Sequence, residues 1–365
     1  MMAALDFLAN PGSVHVRQWV DLGAHTGRIN IYCIGEDSTL EQDFDNIRIV
    51  APLPKWISRL PKFVRYVLLG LWIRIWGPQS AKFHAHNSSG YGLAAAVTGR
   101  PYILTTYGSE IFQARKNGWL YKAIVRFALS RAAAITATAR QMATVVEQNF
   151  GVSPDKIVTF SLGVPDPFFE TVSQAPRATN IGPVWFYNRR ILPLYNTLEA
   201  VRAFKAFKSG GGRGRLILLK GDASGPYFES VENEAKGRAD ITLISEYLTQ
   251  SKMIALLDQC DFTISIPETD QLSSAILEGL ARGKPPILRA INSYAPIAEC
   301  SILTDPEKPD TEAMLEAFQK TASFSKAKMA ALERGCKALA QSQYSKQCAV
   351  DTYRQIIKQH LLTNE

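Results

Sequence analysis

Short apolar runs rich in β-branched residues recur along the chain between longer stretches of helical periodicity. Ile29–Cys33, Ile47–Val50, Lys82–Ala85 and Tyr102–Thr105 have the length and composition of buried strands. The alternation lapses in a polar, helix-poor stretch from Glu170 to Gly182. It resumes with Val184–Tyr187, Leu216–Leu219, Ile241–Ile244, Thr263–Ile266 and Pro286–Leu288. Strand and helix alternating in two blocks predict an α/β protein of two Rossmann-like domains, residues 1–168 and 169–344. The junction falls where Pro165, Pro167, Pro176 and Pro183 punctuate a segment without periodicity. A last helical pattern, about Ser345 to Leu362, is expected to carry residues 345–365 back onto the first domain, by analogy with C-terminal helices of this architecture.

Length agrees with the two-block reading, because 365 residues exceed what one hydrophobic core usually serves. With 46% hydrophobic and 20% charged residues, the composition is that of an ordinary globular protein. The cysteines at 33, 260, 300, 336 and 348 fall in no Cys-x-x-Cys or Cys/His spacing, so they read as reduced thiols, and no metal site is expected. Met1 to Ala9 shows neither a basic n-region nor a small-residue cleavage site, and a cytoplasmic location is the expectation.

A formal net charge of +8 implies attraction to something acidic. Nucleic acid is disfavoured as that partner, since no helix-turn-helix, zinc-finger or RNP-like pattern accompanies the basic residues. The longest apolar region, Phe63–Trp76, is interrupted by Arg65 and Arg74 and is too short to span a bilayer. Residues 55–76 mix Lys55, Arg59, Lys62, Arg65 and Arg74 with Trp56, Phe63, Trp72 and Trp76. Two readings stand side by side for them: a segment lying on the inner, anionic face of the cell membrane, or an amphipathic helix packed on its own domain.

Candidate chemistry concentrates in two stretches of the second block. In Thr263–Ile287, Ser273 or Ser274 suits a helix N-cap, Ala275–Arg282 suits the helix, and Gly283 followed by Pro285 stops it. A helix opening just beyond the carboxyl end of a parallel strand offers free amides and the positive end of its dipole, a seat for a diphosphate that needs no metal. Leu272, Ser273 and Ser274 would meet that diphosphate. Glu278, about a turn further in, would accept bonds from ribose hydroxyls, and Asp270 on the loop above would hold sugar hydroxyls. In Trp185–Tyr195, a strand runs into Arg189 and Arg190 before a helix near Thr197–Phe207. A cation fixed beside a departing diphosphate stabilises the transition state more than the ground state.

In the first block, His84 and His86 share one side of a strand by alternation. His86, at the strand's end, is a candidate for contact with acceptor or sugar. Asp43-Phe-Asp45 reads as a solvated acidic loop rather than a metal-binding pair, and Gly210–Gly214 as a flexible connection, because it precedes a strand and follows a helix.

These segments, in this order, resemble the retaining glycosyltransferases of family 4. Asp270 and Glu278 occupy the two places of that family's E-x7-E signature, within a Leu-Glu-Gly-Leu-Ala-x-Gly-x-Pro context, with aspartate at the first place. The arginine stretch resembles the family's Gly-Arg-x4-Lys phosphate clamp, with Arg190 aligned with the clamp arginine. Tyr195 or Asn196 stands where the lysine is usual, so Lys220 or Arg189 substitutes for it, or Arg190 acts alone. Lys220 precedes Gly221-Asp222, similar to the family's Gly-Asp-Gly turn. Phe83–Ala96 and Tyr102–Ile111 resemble the paired motifs of the first domain, in which Gly108 lets the backbone approach the donor sugar, Glu110 opens the next helix, and Tyr107 stands where many members have histidine. Pro11–Gly23 resembles the first loop and helix, with His15 and Arg17 on the acceptor side.

The resemblance implies a GT-B fold, two Rossmann-like domains facing each other across a cleft. It implies metal-independent, retaining transfer from a nucleotide-diphosphate-sugar, with no further cofactor, to a glycan or lipid-linked acceptor in bacterial surface polysaccharide synthesis. Two other readings remain open: a sugar-nucleotide epimerase of the same fold, and a catalytically inactive binding or scaffold subunit.

Overall fold

A computed structural model describes residues 5–23, 27–35, 40–112, 114, 117–138, 140–170 and 182–362. The chain divides into two units, the first formed by 1–162 with 346–365 and the second by 163–345. The boundary thus falls at 162/163 rather than 168/169. Val164 donates its amide to the Tyr344 carbonyl at 2.7 Å, and Phe168 is buried in the second unit's core. Most of the proline-punctuated junction, residues 171–181, lies outside the described residues.

The first unit is built on strands β1 (Asp6–Leu8), β2 (Ile29–Tyr32), β3 (Ile47–Val50), β4 (Phe83–His86), β5 (Tyr102–Thr105), β6 (Ala134–Ala137) and β7 (Ile157–Thr159). They form one parallel seven-stranded sheet in the order β3-β2-β1-β4-β5-β6-β7. The second unit has β8 (Val184–Tyr187), β9 (Arg215–Leu219), β10 (Ile241–Ile244), β11 (Phe262–Ser265), β12 (Pro286–Arg289) and β13 (Ile302–Thr304), in the order β10-β9-β8-β11-β12-β13. Both sheets are Rossmann-like: the chain winds outward from a central strand in one direction, then returns to start again on its other side.

The central strands are buried along their whole length, as a parallel sheet covered on both faces requires. In the second unit the core gathers round Trp185, whose indole meets Phe207 and Phe318 edge-on at 5.5 and 5.0 Å. Its Nε1 donates to Thr321 Oγ1 at 3.0 Å, so the one polar atom of a fully buried indole is satisfied.

The C-terminal helix, Lys346–Leu361, belongs to the first unit. It lays Ala349, Val350, Tyr353, Ile356, Ile357 and Leu361 into that unit's core, and Lys346 pairs with Asp21 at 2.7 Å. Tyr353 shares a 2.8 Å hydrogen bond with Nδ1 of His84, whose Nε2 meets Thr105 Oγ1 at 2.7 Å. Both ring nitrogens of this buried histidine are therefore satisfied, and His84 is a core residue that fastens the last helix to β4.

Helix Lys62–Trp76 resolves half of the two-sided reading of residues 55–76. Tyr66, Leu69, Gly70 and Ile73 are buried, and Gly70 permits close approach to helix Gly92–Thr98, since a Cβ there would lie 2.5 Å from the Ala94 carbonyl oxygen. The helix does pack on its own domain. Its other side, however, leaves Phe63, Leu71, Ile75 and Trp76 exposed, with Trp56 nearby in sequence. No helix among the described residues is long and apolar enough to cross a membrane.

Replacing Tyr353 by Phe should strand His84 Nδ1 in the core without its partner. We expect a loss of about 1–3 kcal/mol in the stability of the first unit, read from its denaturant midpoint. An unchanged midpoint would show that the last helix is held by apolar burial alone.

Candidate active site

The strand order of the second sheet reverses between β8 and β11, where the loops leaving the two strands part to opposite sides and open a crevice at their carboxyl ends. Of the residues the sequence assigned to the donor side, Arg189, Arg190, Asp270, Leu272, Ser273, Ser274 and Glu278 lie on those two loops or on the helix that follows, while Lys220 follows β9 and Gly108 belongs to the first unit. Asn188, directly after β8, donates from Nδ2 to the Ala275 carbonyl at 2.7 Å, tying the β8 loop to the start of helix Ser274–Ala281. Arg189 follows and is only 7% exposed. Its Nη1 donates to Asp270 Oδ2 at 2.8 Å and to Ser273 Oγ, and its Nη2 reaches Asp270 Oδ1 at 3.4 Å. The guanidinium lies over the Tyr195 ring, 4.2 Å from its centroid.

Arg189, rather than the Arg190 aligned with the clamp arginine, is thus the cation bonded to the loop before this helix. The two arginines that follow β8 have different surroundings. Arg190 is exposed and pairs with the exposed Asp222 at 3.0 Å. Lys220, at the end of β9, sets its ammonium 4.5 Å from the centroid of the Phe228 ring. Of the three cations considered, Arg189 is the one bonded to the β11 loop.

Asp270 also differs from expectation. Its Oδ2 accepts from Arg189 and, at 2.8 Å, from the hydroxyl of Tyr294. A carboxylate so deeply placed has to be paired, and its partners here are protein groups rather than free space for a sugar. Tyr294, in the 3-10 segment Asn292–Cys300, drew no notice in the sequence because no motif contains it.

Ser273 is the N-cap of helix Ser274–Ala281, yet its side chain caps nothing, since its hydroxyl is taken by Arg189. Among the described residues the amides of Ser274 and Ala275 meet no acceptor. The helix therefore presents bare N–H groups and its positive end beside a buried guanidinium. Leu272, just before the cap, has φ +49°, a left-handed conformation that costs a branched side chain about 1–3 kcal/mol. Glu278 lies one turn into the helix and is half-buried, with no side-chain partner among the described residues. Burial alone pushes its pKa up to about 7.

In the first unit the corresponding reversal lies between β1 and β4. His86 ends β4 and shares a 2.6 Å hydrogen bond with the Tyr107 hydroxyl through Nδ1. Its ring stacks on His84 at 4.4 Å, and burial brings its pKa down to about 3, so it is neutral. Among the described residues His86 Nε2 has no partner. His15 stacks on the other side of this group, 5.2 Å from the Tyr107 ring. Gly108 has φ +93°, a conformation suited to glycine, and Glu110 accepts from the Tyr107 amide at 2.9 Å. His15, His86, Tyr107, Gly108 and Glu110 thus come together. Arg17 does not join them, because residues two apart on a helix face different ways. It pairs instead with Asp43 at 2.7 Å. Among the described residues no group of three or more His, Cys, Asp or Glu is placed to hold a metal ion.

Glu278 generates a pH dependence of known sign. Between about pH 4.5 and 7 the folded protein keeps a proton that the unfolded chain has released, so stability falls as pH rises through that window. The loss is complete above pH 7 and amounts to about 3 kcal/mol at most. Glu278→Gln should accordingly stabilise the protein at pH 8 and leave it unchanged at pH 4, as judged by thermal denaturation; equal effects at both values would place the ionisation elsewhere.

Residues 14–167 match the family model described as Glycosyltransferase Family 4. No curated protein matches the chain in sequence. Among solved structures, a glycosyltransferase from Rickettsia africae ESF-5 superposes with a TM-score of 0.75 at 15% identity, covering 99% of this chain and 98% of that one. HepE of Anabaena, solved in complex with UDP and glucose, gives 0.71 at 13%, covering 97% and 99%. WaaG, a glycosyltransferase involved in lipopolysaccharide biosynthesis, gives 0.65 at 13%, covering 95% and 99%. The chain thus has the two-domain Rossmann-like fold of the GT-B type, and residues 14–167 of it match the family 4 model.

Proposed function

We propose that the chain transfers a sugar from a nucleotide-diphosphate donor, with retention at the anomeric carbon and without a metal ion, to a glycan or lipid-linked acceptor in bacterial surface polysaccharide synthesis. The observation that carries this reading is the buried Arg189 bonded to the cap serine of a helix whose first amides are bare. As the bond to the anomeric carbon lengthens, negative charge grows on the departing diphosphate. Arg189 and the amides of Ser274 and Ala275 are already oriented to receive it, so little reorganisation is needed when the charge appears. They bring the positive charge that a metal ion supplies elsewhere.

Glu278 suits the ribose hydroxyls: a carboxyl group held without partners gains hydrogen bonds when the nucleoside arrives. In the first unit, the flat faces of His15 and Tyr107 suit one side of an acceptor sugar. HepE was solved with UDP and with UDP-glucose, which supports a nucleotide-sugar as the donor class. The description of WaaG supports a surface glycan as the product. The family 4 match supports retention, and no side chain is cast as a nucleophile.

A panel of nucleotide sugars, followed by binding and by slow donor hydrolysis, tests the chemistry. Arg189→Ala should lower hydrolysis about 10²–10³-fold, Arg190→Ala should change it less than about threefold, as for an exposed pair, and Glu278→Ala should weaken donor binding. An epimerised sugar would point to an epimerase, and failure of every donor to bind would point to an inactive binding subunit.

The acceptor's lipid would lie at the inner face of the membrane, where the exposed Trp56, Phe63, Ile75 and Trp76 flank Lys55, Arg59 and Lys62. Replacing those three cations by Ala should weaken sedimentation with vesicles containing anionic lipid by about 100-fold, at about 1 kcal/mol each. Unchanged sedimentation would remove the membrane from the proposal.

A further inference from the structure

Tyr294 has no part in the chemistry above, yet its hydroxyl is placed with unusual economy. The side chain is 1% exposed. Its hydroxyl donates to Asp270 Oδ2 at 2.8 Å, and Ser265 Oγ lies at 3.5 Å. A phenylalanine would fill the same volume without the cost of desolvating a hydroxyl, so packing alone does not account for a tyrosine here. The acceptor it finds is the carboxylate that holds Arg189.

We propose that Tyr294 is a positioning residue for the donor diphosphate, acting through Asp270 on Arg189. This rests on the donor reading given above. An arriving diphosphate competes with Asp270 for the guanidinium and repels the carboxylate. A second donor on Oδ2 offsets part of that negative charge and fixes the carboxylate in place, so Arg189 stays aligned as the anion arrives. Arg189 is held at Nη1 by two acceptors, Asp270 Oδ2 and Ser273 Oγ, and one face of its plane is covered by Tyr195. Among the described residues its Nη2 donates only over the 3.4 Å contact with Asp270 Oδ1, leaving donor capacity in the plane of the guanidinium for phosphate oxygens. The shorter acid at the first place of the acid-x7-acid pair thus serves the clamp, and Tyr294 keeps it there.

The test is a double-mutant cycle on the affinity for a nucleoside diphosphate, the one that the wild-type protein binds most tightly, measured by calorimetry. Tyr294→Phe should weaken binding about five- to tenfold, the scale of a lost hydrogen bond to a charged group. In an Arg189→Lys background the same change should have an effect of less than about twofold, because the group through which it acts is gone. Equal effects in the two backgrounds, or no effect in the wild type, would overturn the proposal while leaving the diphosphate site intact. If wild-type protein binds no nucleoside diphosphate, the donor reading falls and this inference with it. Should Tyr294→Phe fail to fold, Tyr294→Leu, which also lacks the hydroxyl, carries the same cycle with the same expected outcomes.

Discussion

The second unit is organised around one buried ion pair, Arg189 with Asp270, which joins the loops leaving β8 and β11. The two side chains are 8% and 11% exposed. At that depth neither charge is tolerable without the other, and removing one partner leaves an uncompensated charge that destabilises by about 3–5 kcal/mol. The pair therefore fixes both loops together. Arg189, drawn to Asp270, also reaches the hydroxyl of Ser273, which is turned to the guanidinium and makes no cap bond to the helix amides. The bare helix start, the feature suited to an anion, follows from the ion pair rather than standing beside it.

The first unit handles burial differently. His84 and His86 are stacked and wholly enclosed, and desolvation with their mutual repulsion keeps the protons off. Neutral imidazoles can be accommodated by hydrogen bonds to Tyr353, Thr105 and Tyr107 without any counter-ion. One surface near the reversal point between β1 and β4 is aromatic, formed by the stacked His15 and Tyr107, while the reversal point of the second unit carries the Arg189–Asp270 pair. The division agrees with the chemistry each would meet, a sugar face in one unit and a diphosphate in the other.

Much of this was legible in the sequence, at the level where physics is local. Nine strands were placed within a residue or so of their observed positions, because apolar β-branched runs between helical periodicities admit few other readings. The strands that escaped are β1, β7 and β13, each three residues long, and β6, half of it alanine, which is poor in strand propensity. The helix at Ser274 and its stop at Gly283 were evident from cap chemistry. What the sequence could not decide is which of Arg189 and Arg190 turns inward, since that depends on the backbone path beyond the last ladder bond of β8. Nor could it show that Asp270 is already held, for one partner lies 81 residues before it and the other 24 after.

The acid-x7-acid spacing places two carboxylates on the same loop and helix, and the structure gives them opposite situations. Asp270 is surrounded by donors and belongs to the framework. Glu278 has none, and the folded protein meets the cost of its burial by holding a proton up to about pH 7. A chain that needed only a stable helix could place an alanine or leucine at 278 and avoid that cost altogether. An acid kept half-buried and unpartnered, one turn from a bare helix start, makes sense where a ligand supplies the missing donors, and neutral hydroxyls do so without introducing a second charge. Of the two, Glu278 is the one available to a substrate, while Asp270 is available to it only through Arg189.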